Sequence, residues 1–202
     1  MRSKSIFLLA ALITLTGCAG QPASPSPNPD GSADAVTVSF DFTSQGGYAS
    51  NQFAVWVEDG NGALIKTLYA AEFTADGGYK ARPDSIPEWV AKSGLASMEQ
   101  TEVDAVSGAT PKSGRVSFVW DMTDTGGDAV RPGSYTIYVE GSLRWKNRVV
   151  YSGVIATDGA AVTVPLTAEV FYEASDVQDA LTSDSPENNM LSNVTAKFAP
   201  KA

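Results

Sequence analysis

Val36-Thr37-Val38-Ser39-Phe40-Asp41-Phe42 switches between apolar and polar residues at every step. Successive side chains of a strand point to opposite faces, so this stretch reads as a strand with one dry face and one wet face. Comparable runs follow at 53–57, 63–69, 115–120, 134–140, 149–156, 161–170 and 191–198. Asp59-Gly60-Asn61-Gly62 joins two of them as a hairpin turn. Many short strands punctuated by Gly, Asp and Pro, with few helical periods, predict an all-β fold, an antiparallel immunoglobulin-like β-sandwich.

One connection breaks the rhythm. More than forty residues separate the strand ending near Ala70 from the one starting near Arg115. Within them Ser85-Ile86-Pro87-Glu88 has the form of a capping box and predicts one short helix over 86–92, stopped by Gly94. Ser175-Asp176-Val177-Gln178 predicts a second helix start ahead of Ala180 and Leu181. A compact domain keeps so long a connection chiefly where it binds or reacts. The expected organisation is a β-sandwich over 35–202 with a long loop at 71–114.

The first 34 residues stand outside that domain. Arg2 and Lys4 precede the apolar run 6–15 and then Leu15-Thr16-Gly17-Cys18, so 1–17 reads as a signal peptide. The run is too short for a spanning helix. Cys18, the chain's only cysteine, follows small residues in a way that resembles the lipobox of bacterial lipoproteins. That resemblance implies cleavage before Cys18, lipid on its sulfur and anchoring by more than one acyl chain. Residues 18–34, with Pro22, Pro25, Pro27 and Pro29, read as a tether unable to bury an apolar core. The expected place is the bacterial cell envelope, outside the cytoplasm. Ala19 lacks the retention signal of an Asp at that position, which favours the periplasmic face of an outer membrane where one exists.

Absences narrow the chemistry. The chain has no histidine, and beyond Cys18 no cysteine. Haem with a His ligand, Cys-ligated iron–sulfur clusters, Cys/His zinc sites and Ser-His-Asp hydrolysis are excluded. Net charge is −9, and −11 once Arg2 and Lys4 leave, which argues against nucleic acid as a partner. Asp121, Asp124 and Asp128, and Glu58-Asp59-Gly60-Asn61, lack EF-hand spacing and suit hairpin turns, so no metal site is expected.

Two segments carry resemblances. The stretch 120–135, beginning Trp120-Asp121-Met122-Thr123-Asp124 and closing Pro132-Gly133-Ser134-Tyr135, resembles an element of the immunoglobulin-like domain of flagellar hook-capping proteins. Met122 stands where that element usually has Gly. In this reading Trp120 plugs the core end, Gly126-Gly127 supply positive φ, and Pro132-Gly133 turn the chain into the next strand.

The second is Asp104-Ala105-Val106-Ser107-Gly108-Ala109-Thr110, which resembles the flavinylation motif of the FMN-bearing subunits of the sodium-translocating NADH:quinone reductase and the Rnf complex. There an FAD:protein FMN transferase of the ApbE family moves FMN onto the last Thr as a phosphoester. Residues 36–172, with Trp56, Trp89, Thr110 and Trp120 in order, also resemble a family of predicted periplasmic proteins encoded near such transferases and PepSY membrane proteins. The resemblance implies covalent FMN on Thr110, with Asp104 and Ser107 as recognition residues. Gly108 and Ala109 clear bulk beside the nucleophile, as a segment reaching into another protein's magnesium site requires. Pro111 biases Thr110 toward an extended conformation and removes a ladder donor, so the segment should be presented rather than paired. Tyr79, Trp89 and Trp145 are candidate platforms for the flavin ring.

These readings converge on a lipid-anchored flavoprotein electron carrier, a substrate of the transferase rather than an enzyme. Its electrons would pass to or from a PepSY-type or other membrane redox protein. The alternative is a non-redox binding or assembly lipoprotein. A hydrolase built on an Asp/Glu pair is a third and thinner reading.

Overall fold

A computed structural model describes residues 34–46, 51–144, 147–171 and 190–201. Cys18, the signal and tether segments ahead of Asp34, Trp145, and the helix start at Ser175 lie outside the described residues. Among those described, the chain forms strands β1 (Ala35–Phe42), β2 (Gln52–Glu58), β3 (Leu64–Ala71), β4 (Ser107–Gly108), β5 (Gly114–Trp120), β6 (Ser134–Arg144), β7 (Asn147–Ala156), β8 (Val162–Pro165), β9 (Thr167–Phe171) and β10 (Leu191–Ala199). They make two sheets, ordered β5-β1-β10-β8 and β4-β3-β2-β6-β7-β9, and every pairing is antiparallel except β3 with β4. This is the expected β-sandwich.

The inner faces meet in an aromatic core. Val36, Val38, Phe40 and Phe42 of β1 are all buried, every second residue as the alternation requires. They pack with Phe53, Phe118, Trp120 and Ile137 from the neighbouring strands. Trp120 does plug one end, edge-on to Tyr135 at 4.8 Å, with its Nε1 donating to the Thr123 carbonyl. Tyr135 at the start of β6 returns its hydroxyl to the Arg131 carbonyl, as a tyrosine corner does in immunoglobulin-type sandwiches. Met122 sits at φ 58, the left-handed region that explains why glycine suits its place, and Gly127 alone of the Gly126-Gly127 pair has positive φ. The expected strand over 161–170 splits: β8 pairs with β10, β9 pairs with β7, and buried Leu166 between them donates its N–H to the Val194 carbonyl. The chain changes sheets there.

The long connection carries more structure than a loop with one helix. It holds a π-helical turn at Thr74–Gly78, α1 (Tyr79–Ala81), α2 (Pro87–Ser93), a 3-10 turn at Leu95–Ser97 and α3 (Gln100–Val106) before β4. These pieces cover the outer face of the six-stranded sheet and close a second core of Ala54, Trp56, Ala70, Ile86, Trp89 and Val103. All seven residues of β2 are therefore buried, Phe53, Val55 and Val57 toward the first core and Ala54 and Trp56 toward the second. A strand covered on both faces reads as a continuous apolar run, as 53–57 does.

Ser85-Ile86-Pro87-Glu88 is not a capping box. The Ser85 hydroxyl is buried against Thr74 Oγ1 at 2.6 Å, and Ile86 occupies the N-cap of α2 at φ 42. The helix start is capped from the sheet instead: Glu140 of β6 accepts the N–H groups of Glu88 and Trp89 at 3.2 and 2.9 Å. Gly94 ends α2 in the left-handed region, as expected. The capping box belongs to α3, where Glu99 and Glu102 each accept the other's backbone N–H.

The chain joins the sandwich at Ala35, beside Ala199, whereas the other end of β1, Phe42, lies beside Gly114. Strands β4 and β5 are edge strands of the six- and four-stranded sheets, and residues 109–113 cross from one to the other.

Candidate functional site

The seven residues of the motif fall on three kinds of structure. Asp104 and Val106 belong to α3, whose length is set by the Glu99/Glu102 box at its start and by Ser107 at its C-cap. Asp104 is exposed and its Oδ1 accepts from Gln100 Nε2 at 2.8 Å, one helical turn back. It thus fixes the helix surface, and no hydrogen bond joins it to Thr110. Ser107 is half-buried and gives its N–H to the Val103 carbonyl. Ser107 and Gly108 then pair in parallel with Ala70 and Ala71, so the expectation of a wholly unpaired segment is corrected: its first half is paired and its second half is not.

Gly108 is glycine for a local reason. A Cβ there would lie 3.0 Å from Cε2 of Tyr69. The Tyr69 ring packs against both Phe53 and Phe118, with centroids at 4.6 and 5.0 Å, which holds it in place. Its hydroxyl lies 3.0 Å from the Gly108 carbonyl and 3.1 Å from that of Ala109, and one proton serves both. Burial, with the nearby Glu72 carboxylate adding to it, pushes the phenol above its ordinary value, so it stays a donor throughout the physiological range.

Beyond Gly108 the backbone leaves regular structure until β5 begins at Gly114. Ala109 and Thr110 are exposed, and among the described residues no group hydrogen-bonds the Thr110 hydroxyl. The far end of the span is pinned where the Ser113 hydroxyl accepts the Ser44 N–H at 2.9 Å. Thr110 is therefore carried on a short unpaired bridge between two fixed supports.

The three aromatic candidates fare differently. Trp89 is fully buried under α2, its Nε1 donating to Thr67 Oγ1 at 3.1 Å, and it serves the second core rather than offering a ring face. That correction has a plain cause: a Trp on a short helix is what lets seven residues hold to a sheet. Tyr79 is half-buried at the rim of the same core with Lys80 Nζ 5.7 Å from its ring. Trp145 lies outside the described residues. Arg148, near the start of β7, is committed to Glu88 and Glu140 and lies over the Phe171 ring at 4.0 Å.

A cleft of about 580 Å³ opens on the other side of α3 from Asp104, lined by Leu64, Thr67, Met98, Ala105 and Val106 among others. Its volume lies in the range of small-molecule sites. The residue that sequence reading missed is Tyr69. It lies 39 positions from Gly108 and carries no local signal beyond its place in an apolar strand. The Asp-rich hairpins are explained by their turns: Asp59 accepts the N–H groups of Asn61 and Ala63, and Asp124 that of Asp128.

A family model described as a predicted periplasmic protein, DUF2271, matches residues 33–173. No curated protein and no solved structure matches the chain.

Proposed function

The chain belongs to the DUF2271 family of predicted periplasmic proteins, and on that premise we propose that it is an extracytoplasmic electron carrier bearing FMN on Thr110. Cys18 anchors it to the membrane through lipid, an FAD:protein FMN transferase loads it, and a membrane redox protein of PepSY type exchanges electrons with it. One observation carries the reading: the Thr110 hydroxyl is exposed on the bridge 109–113 and has no partner among the described residues.

Loading needs little from this chain beyond position. The Thr110 oxygen attacks the flavin-side phosphorus of FAD, the pyrophosphate bond breaks, AMP leaves, and the hydroxyl proton passes to solvent. Phosphoryl transfer of this kind depends on placing the acceptor in line within the transferase's own charged site. A free, exposed alcohol with Gly108 and Ala109 behind it meets that demand, and Pro111 keeps Thr110 away from helical backbone. A cleft of about 580 Å³ against α3, where Leu64, Met98, Ala105 and Val106 stand beside polar Lys66, Thr101 and Glu102, offers room for the loaded group. When bound, FMN supplies exchange of one or two electrons; the protein supplies tether and surroundings.

Co-expression with such a transferase tests this. The expected product is yellow and heavier by one FMN less one water, with in-gel flavin fluorescence, and Thr110→Val loses all three. A colourless wild type, under conditions where the transferase labels a control substrate, refutes the reading and leaves the binding or assembly lipoprotein.

A further inference from the structure

We propose that Tyr69 is the positioning residue of the acceptor: through its phenol it fixes the Gly108 and Ala109 carbonyls and so sets where the Thr110 hydroxyl is offered. This rests on Thr110 being the flavin acceptor.

A peptide group is planar, so the Ala109 carbonyl shares one rigid plane with the nitrogen and Cα of Thr110. A hydrogen bond to that oxygen, 3.1 Å from the Tyr69 hydroxyl, therefore places the Cα of the acceptor directly. The second contact, to the Gly108 carbonyl at 3.0 Å, fixes the preceding plane. What stays free at Thr110 is rotation about its own backbone bonds and χ1, and Pro111 narrows the backbone part.

The donor itself cannot drift. Its ring is stacked on Phe53 and packed on Phe118 in the sandwich core, two strands of different sheets. Gly108 lets the main chain come down onto that ring, where a Cβ would meet it at 3.0 Å. Glycine and tyrosine are thus two halves of one contact. The rigid core of the sandwich reaches, through one phenol, to within a peptide plane of the exposed alcohol, while the other support at Ser113 lies three residues past it. Placing a nucleophile before it meets its partner removes part of the ordering cost of the encounter.

The consequence is kinetic. Without the phenol proton the bridge samples more conformations, and only a fraction fits the transferase; the apparent affinity falls by that fraction while the bound step is unchanged. A single neutral hydrogen bond changes such an equilibrium by roughly two- to tenfold. The test uses the unmodified full chain as substrate for purified FAD:protein FMN transferase with FAD and Mg²⁺, FMN incorporation being followed by intact mass. Tyr69→Phe keeps the ring and loses the proton donor; KM for the protein should rise about two- to tenfold with kcat unchanged. Tryptic cleavage after Lys112, on the bridge, should quicken relative to cleavage after exposed Lys80 on α1. A role in stability alone lowers the melting temperature and leaves both readouts alone. Wild-type KM and wild-type Lys112 cleavage in Tyr69→Phe overturn the assignment, even if the wild-type chain is labelled. A wild-type chain that takes no FMN removes the reading of Thr110, and the role of Tyr69 with it.

Discussion

Replacing Glu140 by glutamine should make the protein's stability respond differently to pH, and the size of the change follows from where that carboxyl sits. Glu140 is fully buried at the junction of β6 and α2. Loss of water raises its pKa from 4.5 to about 7, against the lowering effect of the Trp89 and Glu88 N–H groups and the Arg148 guanidinium. The folded state therefore holds a proton that the unfolded chain releases between those two values. More protons bound in the folded state means stability falls as pH rises. The contribution is fully present below about 4.5, declines through the interval and is lost above 7. At about 1.4 kcal/mol for each pH unit of that interval, the decline is on the order of 3 kcal/mol. Glu140→Gln keeps the shape and an acceptor oxygen but does not titrate. Urea unfolding of both proteins from pH 5 to pH 8 isolates the site, because every other group titrates alike in the two. The wild type should lose ground to the variant by about 2–3 kcal/mol across that range. A difference that stays flat, or that moves in favour of the wild type at pH 8, would falsify the assignment of a buried, proton-holding carboxyl.

Other outcomes depend on packing. Trp89→Ala empties the centre of the second core and should cost about 3–5 kcal/mol by denaturant unfolding, loosening α2 and α3 more than the sandwich in hydrogen exchange. Gly78→Ala forces a Cβ to within 2.2 Å of the Phe73 carbonyl oxygen and should cost about 1–3 kcal/mol. Gly133→Ala meets nothing within 4 Å and should leave the melting temperature nearly unchanged. Equal effects at the two glycines would show that the turn after β3 is not packed as described.

The sandwich is legible in the sequence because its strands are patterned one residue at a time; Val36 to Phe42 of β1 is plain alternation, and the structure buries alternate residues. The helical cover is half legible. The run 53–57 is apolar without a break, which is the mark of a strand covered twice, yet an apolar run alone does not say by what. Serine is the favoured cap residue, which points to a capping box at Ser85; the chain instead buries that hydroxyl and caps with Glu99, a residue type that fills the role less often. Glu140 reads as an outward polar residue closing a strand, and only the docking of α2 over it makes it a cap. At the site, the motif announces Thr110 and its neighbours, and glycine at 108 reads as absence of bulk. That glycine has a partner, Tyr69, joined to it by the fold and by nothing in the local sequence.

The placement of the two ends of β1 sets where the described chain enters the sandwich relative to the bridge. Phe42 stands beside Gly114, close to the bridge, and Ala35 stands at the opposite pole, about 23 Å away along seven residue steps of strand. The described chain therefore enters the sandwich at the end of β1 away from the bridge that carries Thr110. Under the proposed function, a transferase or redox partner would meet the threonine at the far end from that entry, with the length of β1 between them.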